Sequence, residues 1–471
     1  MNQNNSPWLY QLKRTRPVDI ICEDMNADVV VIGGGISGVM TSYFILKNTD
    51  RAVTLIEGDK VAHGATGHNA GQIVADFERE LDDLVREYGI AKTIDAENSV
   101  RSAWVLLEEL YQDANLTTPM SSFMGYNGYK HLEHIMDEIK ANSMRKYADA
   151  KTYPIYIADN FSRMNEIPDE FRELYEIIPH KDILSLLETE DQSYVCAVSL
   201  KKGCTNSAML SEELVGYLLT KYKGRFTLFE HTTVETLILN KDNADLKTKT
   251  NRKDGKPEDS YNVSAKRVVL CTNGFERISI LNKSGEDVDV KFHHMVNGDI
   301  GYMSAYVEDL KNPPTALGYY DQGDKPADDF NDPYNALPYF YLTRRPYELE
   351  NNEVHNLICI GGPEQQIAET QGYDREGEFS KEKGEMINQF VKKTVPDAKD
   401  KDFEYKFQWH GIMCYTPNNM RVIGPEPKNP IMMYNLGCNG VGILTSIHGS
   451  WKISKMLAGD KFSESIFDPK A

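Results

Sequence analysis

Three glycines at fixed spacing, Gly33, Gly35 and Gly38, follow the β-branched run Asp28-Val29-Val30-Val31-Ile32. They open a helical pattern that carries Val39, Met40, Tyr43, Phe44 and Leu46. In a strand–turn–helix context this spacing suits a pyrophosphate. The first glycine makes the tight turn, the second lets phosphate approach the backbone, and the third brings helix and strand together. The helix begins at Ile36 and Ser37, where free N–H groups and the helix dipole favour negative charge. A second apolar strand, Ala52 to Ile56, ends in Glu57. A carboxylate there accepts hydrogen bonds from a ribose diol and disfavours a 2′-phosphate. A glycine turn that binds nothing is the alternative for such a motif, but here strand, helix and terminal acid occur together.

Two further segments are rich in small residues. Gly64-Ala65-Thr66-Gly67-His68-Asn69-Ala70-Gly71-Gln72 suits a backbone pressed against something large and flat. Gly437, Gly440 and Gly442 precede a helix running through Ile443, Leu444, Ile447, Trp451 and Met456. Glycines at that start permit contact with a ring, and the dipole stabilises negative charge on it. A packing helix after a glycine turn is the alternative for this segment taken alone.

With these residues the chain resembles the D-amino-acid-oxidase-like superfamily of FAD-dependent amine and amino-acid oxidoreductases. The resemblance continues through Thr233-Val234-Glu235 and the "ATNG"-like element Val268-Val269-Leu270-Cys271-Thr272-Asn273-Gly274. It takes in Trp409-His410-Gly411-Ile412-Met413, Thr416-Pro417-Asn418, Ile423-Gly424-Pro425 and the C-terminal block Gly437-Cys438-Asn439-Gly440-Val441-Gly442. The ATGHNAGQ stretch is similar to that of the gamma-glutamylputrescine-oxidoreductase-like subgroup. The resemblance implies FAD as cofactor, with the fingerprint, the 64–72 loop, Val234, Cys271 to Gly274, Gly411, Ile412 and the C-terminal block through Ile443 around it. It implies an α/β fold in which a Rossmann-like FAD-binding domain is interleaved with a substrate domain on a mixed, largely antiparallel sheet. Residues 27–115, 203–240, 264–280 and 406–471 are expected in the first, and 116–202 and 281–405 in the second. Residues 1–26 form an N-terminal extension.

The elements that must position these groups are partly legible. Asp299 to Tyr306, Pro338 to Thr343 and Asn356 to Gly361 read as substrate-domain strands, the last two resembling a hairpin that ends at Gly361-Gly362. The polar stretch from Asn240 to Ser260 reads as an exposed hairpin excursion, assigned to 241–263, and Asp321 to Asn335 as a long acidic loop.

Composition narrows the function. The chain has 471 residues, and 52 Lys+Arg against 71 Asp+Glu give a net charge of −19. That charge opposes binding to a phosphate backbone and favours small-molecule substrates over nucleic acid. No export signal and no membrane span is apparent, and the seven cysteines are scattered without a C-x-x-C pair. Reduced thiols, no metal site and a cytoplasmic location are expected. The pattern of HExxH, P-loop or GxSxG enzymes is missing.

The chemistry implied is oxidation of the C–N bond of a small amine or amino acid to an imine, with hydride transfer to flavin N5 and subsequent hydrolysis. No catalytic base is obligatory where the site itself favours the unprotonated amine. His410, Tyr302 and Tyr341 are the catalytic candidates, with Tyr339 a further cavity candidate. His410 has packing beside Trp409 as its alternative, and the tyrosines have core packing as theirs. His68 occupies the place where dimethylglycine-dehydrogenase-like relatives carry a covalent flavin link, although noncovalent FAD is favoured. Cys414 reads as a core thiol. Arg344 and Arg345 read as a solvated pair with carboxylate binding as the alternative, and His293 and His294 as structural. Sarcosine oxidases carry an oxygen-activating lysine where this chain reads Leu357-Ile358-Cys359. Oxygen or another electron acceptor therefore remains open. The alternatives to amine oxidation are FAD-linked tRNA-base modification and a flavin-binding protein without a catalytic role.

Overall fold

The strand Met25–Ile32 buries both faces over its second half, where its residues alternate between two cores. Val29 and Val31 face the helices Ile36–Asn48, Ile90–Asp113, Ser207–Lys221 and Ile443–Ala458, while Val30 and Ile32 face a second core built on Thr232–Leu239 and Ser260–Leu270. Its last four residues, Val29 to Ile32, are all buried, and a stretch covered on both sides must be apolar at every position, which is why their pattern does not alternate. The computed structural model describes residues 4–250, 259–274, 278–288, 296–320, 339–367, 372–396, 398–399 and 403–470.

The first sheet has nine strands. Met25–Ile32 lies parallel to Val53–Ile56 on one side and Ser260–Leu270 on the other. Val53–Ile56 pairs in turn with Phe226–Phe229, and Ser260–Leu270 with Met432–Leu436, both in parallel. The second sheet has ten strands in the order Phe407–Tyr415, Asn297–Glu308, Val354–Ile367, Tyr339–Glu348, Thr315–Tyr320, Met120–Tyr129, Cys196–Thr205, Ile155–Ala158 and Glu176–Ile178, with Gln72–Val74 beside Cys196–Thr205. It is largely antiparallel, with parallel pairs at Thr315–Tyr320/Met120–Tyr129 and Ile155–Ala158/Glu176–Ile178. One face of this sheet packs on the helices of the first sheet, and the other on Lys381–Thr394 through Ile387, Phe390 and Val391. The chain passes back and forth between the sheets.

Three local expectations are corrected. Residues 407–415, assigned to the nucleotide half, form an outer strand of the second sheet, in register with 297–305. An open strand edge far away in sequence supplies that pairing. The polar stretch after Asn240 is not a wholly exposed excursion: Ala244–Thr250 is a strand between Thr232–Leu239 and Ser260–Leu270. Ala244, Leu246, Thr248 and Thr250 point inward, and the two threonine hydroxyls donate to Tyr261 and Asp259 carbonyls at 3.0 and 3.1 Å. Gly361-Gly362 does not end its strand, which continues to Ile367 through a register irregularity opposite Gly301 and Met303. His293, His294 and the acidic loop 321–335 lie outside the described residues, as does Pro338 of the second expected strand.

Candidate active site

At the carboxyl ends of the first sheet's parallel strands the backbone turns at Gly33, whose φ is +105°. A Cβ there would lie 2.7 Å from the Cys271 carbonyl, and one at Gly38 would lie 1.8 Å from that of Gly33. Only glycine lets helix and strands approach so closely. Glu57 accepts from the Gly34 N–H at 2.6 Å and the Asp59 N–H at 2.9 Å. Burial raises its pKa, and the two N–H donors work against that rise. The N–H of Ile36 donates to Thr66 Oγ1 at 2.9 Å, joining the helix start to the 64–72 loop.

A cavity of about 670 Å³ begins at this turn. From the first motif Gly33, Gly35, Ile36, Ser37 and Glu57 line it. From the loop come Gly64, Ala65, Thr66, His68, Asn69, Ala70 and Gln72. Val234, Cys271, Thr272, Asn273, Gly411 and Ile412 continue the wall, and Gly440, Val441, Gly442 and Ile443 close it. Five expected residues stand behind the wall instead. Gly38 seals the helix–strand contact, Gly71 backs onto the Trp8 ring, and Gly274 abuts Val296 and Leu436. Gly437 faces Thr416, whose N–H donates to Asn439 Oδ1 at 2.8 Å. The loop is pinned from behind: Trp8 Nε1 donates to the Asn69 carbonyl at 2.6 Å, and Asn69 Nδ2 to Ser207 at 2.8 Å. His68 has Nδ1 3.0 Å from the Gly64 carbonyl. Burial pulls its pKa down to about 4, so its ring is neutral at ordinary pH.

Tyr341 and Tyr339 line the cavity, and the Tyr341 ring fills the space above Gly361. Tyr302 and His410 do not line it. They are register partners on adjacent strands, and their neighbours Gly301, Met303 and Gly411 face the cavity, so alternation turns these two to the opposite face. There His410 Nδ1 lies 3.0 Å from the Tyr373 hydroxyl and Nε2 3.0 Å from the Gly377 carbonyl, while Tyr302 donates to Gln365 at 3.1 Å. Arg344 and Arg345 are not solvated. Arg344 is buried and paired with Glu188, and Arg345 is buried with its guanidinium 3.7 Å over the Trp8 ring. Both faces of their strand are covered, so neither side chain reaches water. Cys414 is a buried thiol, and Leu357, Ile358 and Cys359 are buried.

Sequence reasoning missed at least four charged groups in the wall, Arg421, Glu78, Glu364 and Arg375, the last paired with Asp59 at 2.6 Å. Arg421 is buried and donates to Asn435 Oδ1 at 2.6 Å, Ser37 Oγ at 2.8 Å and the Gly437 carbonyl at 3.1 Å, tying the first glycine motif to the last. Its position just before the Ile423-Gly424-Pro425 element was the available signal. Glu78 accepts from Tyr415 at 2.7 Å and Tyr339 at 3.1 Å, and its carboxylate lies against Gly440. Glu364 faces the same space and is exposed to it, and the protein packed around its carboxyl, together with Glu78 and Asp299, pushes its pKa up to about 8. Neither glutamate has a motif that marks it.

A glycine turn after a buried parallel strand, with Glu57 at the end of the next strand, is joined through one cavity to a large, mostly antiparallel sheet, an arrangement that suits a flavoprotein oxidoreductase. The FAD-dependent oxidoreductase (DAO) family profile matches residues 28–454, and the chain belongs to that family. The chain is 34% identical over 74 residues to gamma-glutamylputrescine oxidoreductase of Escherichia coli, covering 16% of this chain and 17% of that protein. Across the curated relatives it matches, the chain spans 13 to 17% of their length. The fold is that of glycine oxidase from Geobacillus kaustophilus, with a TM-score of 0.63 at 15% identity over 94% of this chain and 98% of that one. L-proline dehydrogenase from P. horikoshii gives 0.61 at 14% identity, over 92% and 94%. The residues present fit FAD: the glycine turn leaves room for a pyrophosphate, and buried Thr272 Oγ1 in the wall has no hydrogen-bond partner among the described residues. Among those residues, no helix is long and apolar enough to cross a membrane.

Proposed function

We propose that this protein oxidises the C–N bond of a small amine or amino acid to an imine, which water then hydrolyses. The observation that carries the reading is the cavity itself, which runs from the Gly33 turn to a chamber lined by Tyr341, Glu78 and Glu364, with the Glu78 carboxylate against Gly440. Bound FAD supplies a two-electron acceptor. In this proposal Gly33, Gly35, Ile36 and Ser37 hold the pyrophosphate, Glu57 the ribose, and the 64–72 loop with Gly440 to Ile443 the ring system. Arg421 adds a fixed positive charge between the two glycine motifs. The substrate CH–NH unit gives up two electrons and two protons overall, so a group is needed to hold the proton that leaves nitrogen. Glu364 suits that task, because a carboxyl near pKa 8 exchanges a proton with an ammonium group close to neutral pH. Tyr339 and Tyr341 orient the carbon chain against the wall. Electrons pass on to oxygen or another acceptor, and the protein works in the cytoplasm.

The test is turnover of the FAD-loaded protein with an artificial dye and a panel of primary amines, N-methyl amino acids and amino acids. The carbonyl product is trapped and identified by mass. A carbonyl formed in equal amount to reduced dye supports the reading. Dye reduction without any carbonyl product, or no turnover with any member of the panel, contradicts it.

A further inference from the structure

The flavin cavity opens past Glu78, Tyr339 and Tyr341 into a second cavity of about 1030 Å³, and these side chains line both. One wall of the second cavity is a row of aromatic rings. Tyr341 and Tyr339 have centroids 5.6 Å apart, Tyr339 stacks on Tyr320 at 4.9 Å, and Tyr320 stacks on Tyr129 at 4.8 Å. The row therefore leads away from the flavin cavity, across the strands Tyr339–Glu348, Thr315–Tyr320 and Met120–Tyr129. Carboxylates stand along it. The Tyr339 hydroxyl donates to Glu78 at 3.1 Å, and the Tyr129 hydroxyl donates to Glu138 at 2.5 Å.

The charges of this cavity do not cancel. Ten carboxylates line it against five lysines and arginines, and three cations from outside the lining, Arg101, Arg163 and Lys470, pair with Glu97, Glu133 and Glu87. Four of those five cations are committed to carboxylates: Arg79 to Glu87, Arg86 to Asp82, Lys140 to Asp137 and Arg145 to Glu97. The fifth, Lys202, is 3% exposed, donates to Asn127 Oδ1 at 2.7 Å, and feels the attraction of Asp76. Asp76, Glu78 and Glu138 have no ion pair among the described residues. Burial raises the pKa of all three, although Arg145 works against that rise at Asp76 and Glu138, and Lys202 at Asp76, without forming an ion pair with either. Unneutralised carboxylates beside stacked aromatic faces are complementary to an alkylammonium group, which gains from both.

We propose that the second cavity binds the distal cationic group of an elongated substrate, an alkyl diamine or polyamine whose chain follows the tyrosine row from Tyr341 to Tyr129 and whose far ammonium is met by Glu138 and Asp76. This assignment rests on the amine-oxidation reading and narrows its substrate class.

The test compares 1,8-diaminooctane with n-octylamine on the FAD-loaded protein, by calorimetric binding and by anaerobic reduction of the flavin. The diamine is expected to bind at least tenfold tighter. Glu138→Gln keeps the shape and the Tyr129 hydrogen bond, and is expected to remove most of that preference without altering octylamine binding. Asp76→Asn, at the cavity surface, provides a second variant with the same expected direction. Equal binding of the two amines overturns the proposal, as does a preference untouched by both variants. Reduction by octylamine as readily as by the diamine, with equal affinities, leaves amine oxidation standing and removes the second site. A diamine preference that depends on Glu138, with the flavin left oxidised by every amine, leaves the site standing and removes amine oxidation.

Discussion

Replacing Arg421 by Met should weaken FAD binding far more than it weakens the fold. The guanidinium bridges Ser37, at the start of the phosphate-binding helix, and Gly437, at the start of the C-terminal glycine block, through bonds of 2.8 and 3.1 Å. Its remaining bonds go to Asn435, at 2.6 Å to Oδ1 and 2.9 Å to the carbonyl. Burial lowers its pKa only to about 10, so the group stays cationic at neutral pH. Hydrogen bonds made by charged groups are each worth about 1.5–3 kcal/mol. Losing the charge beside the pyrophosphate position, together with the alignment of the two motifs, should cost about 2–4 kcal/mol of FAD binding, or roughly 30- to 1000-fold in Kd. Arg421→Lys keeps the charge but not the planar fork, and should fall between. The assay is fluorescence titration of FAD-free protein, with urea unfolding of the same samples to separate stability from affinity. A cooperatively folding Arg421→Met variant that binds FAD within threefold of wild type would refute the reasoning.

Four further outcomes are expected. The amine KM should fall as pH rises from 6.5 to 9, because Glu364 ionises near pH 8 and then attracts an ammonium group, and Glu364→Gln should flatten that profile. The same raised pKa favours the protonated carboxyl in the folded state; its contribution to stability is whole below the ordinary value of 4.5 and is lost as pH rises through about 8, so Tm should decline more steeply toward pH 9 in wild type than in Glu364→Gln. Acid precipitation should release FAD into the supernatant; flavin retained on the polypeptide, and lost in His68→Ala, would show a covalent link instead. Substrate-reduced protein should reoxidise slowly in air and faster with a dye, since Leu357, Ile358 and Cys359 are buried and bring no cation to that strand. Stopped-flow mixing with oxygenated buffer measures it, and rapid reoxidation would contradict the expectation.

The phosphate-binding turn was legible because its requirement is local. Backbone packing at Gly33 and Gly38 admits no Cβ, and the four residues before it, Val29 to Ile32, are buried on both faces and must be apolar. The second sheet was legible in its separate strands but not in its pairing, and pairing decides which side chains face the cavity. His410 and Gly411 are adjacent, and only the alignment of their strand with Asn297–Glu308 determines which one points inward. Glu78 was invisible for a related reason: its partners Tyr339 and Tyr415 lie 261 and 337 residues away. Arg344 and Arg345 looked solvated because charge suggests water, yet Glu188 neutralises one and the Trp8 ring covers the other. Ala244–Thr250 misled for the opposite reason, since its inward threonines satisfy their hydroxyls on neighbouring carbonyls and can be buried.

The central claim is that a bound flavin accepts electrons from an amine held in this cavity. Anaerobic titration of the FAD-loaded protein with amines, followed through the visible flavin bands, tests it most directly. Stoichiometric bleaching by at least one amine, reversed by an added electron acceptor, is the predicted result. Flavin that dithionite reduces but no amine or amino acid bleaches would contradict the account.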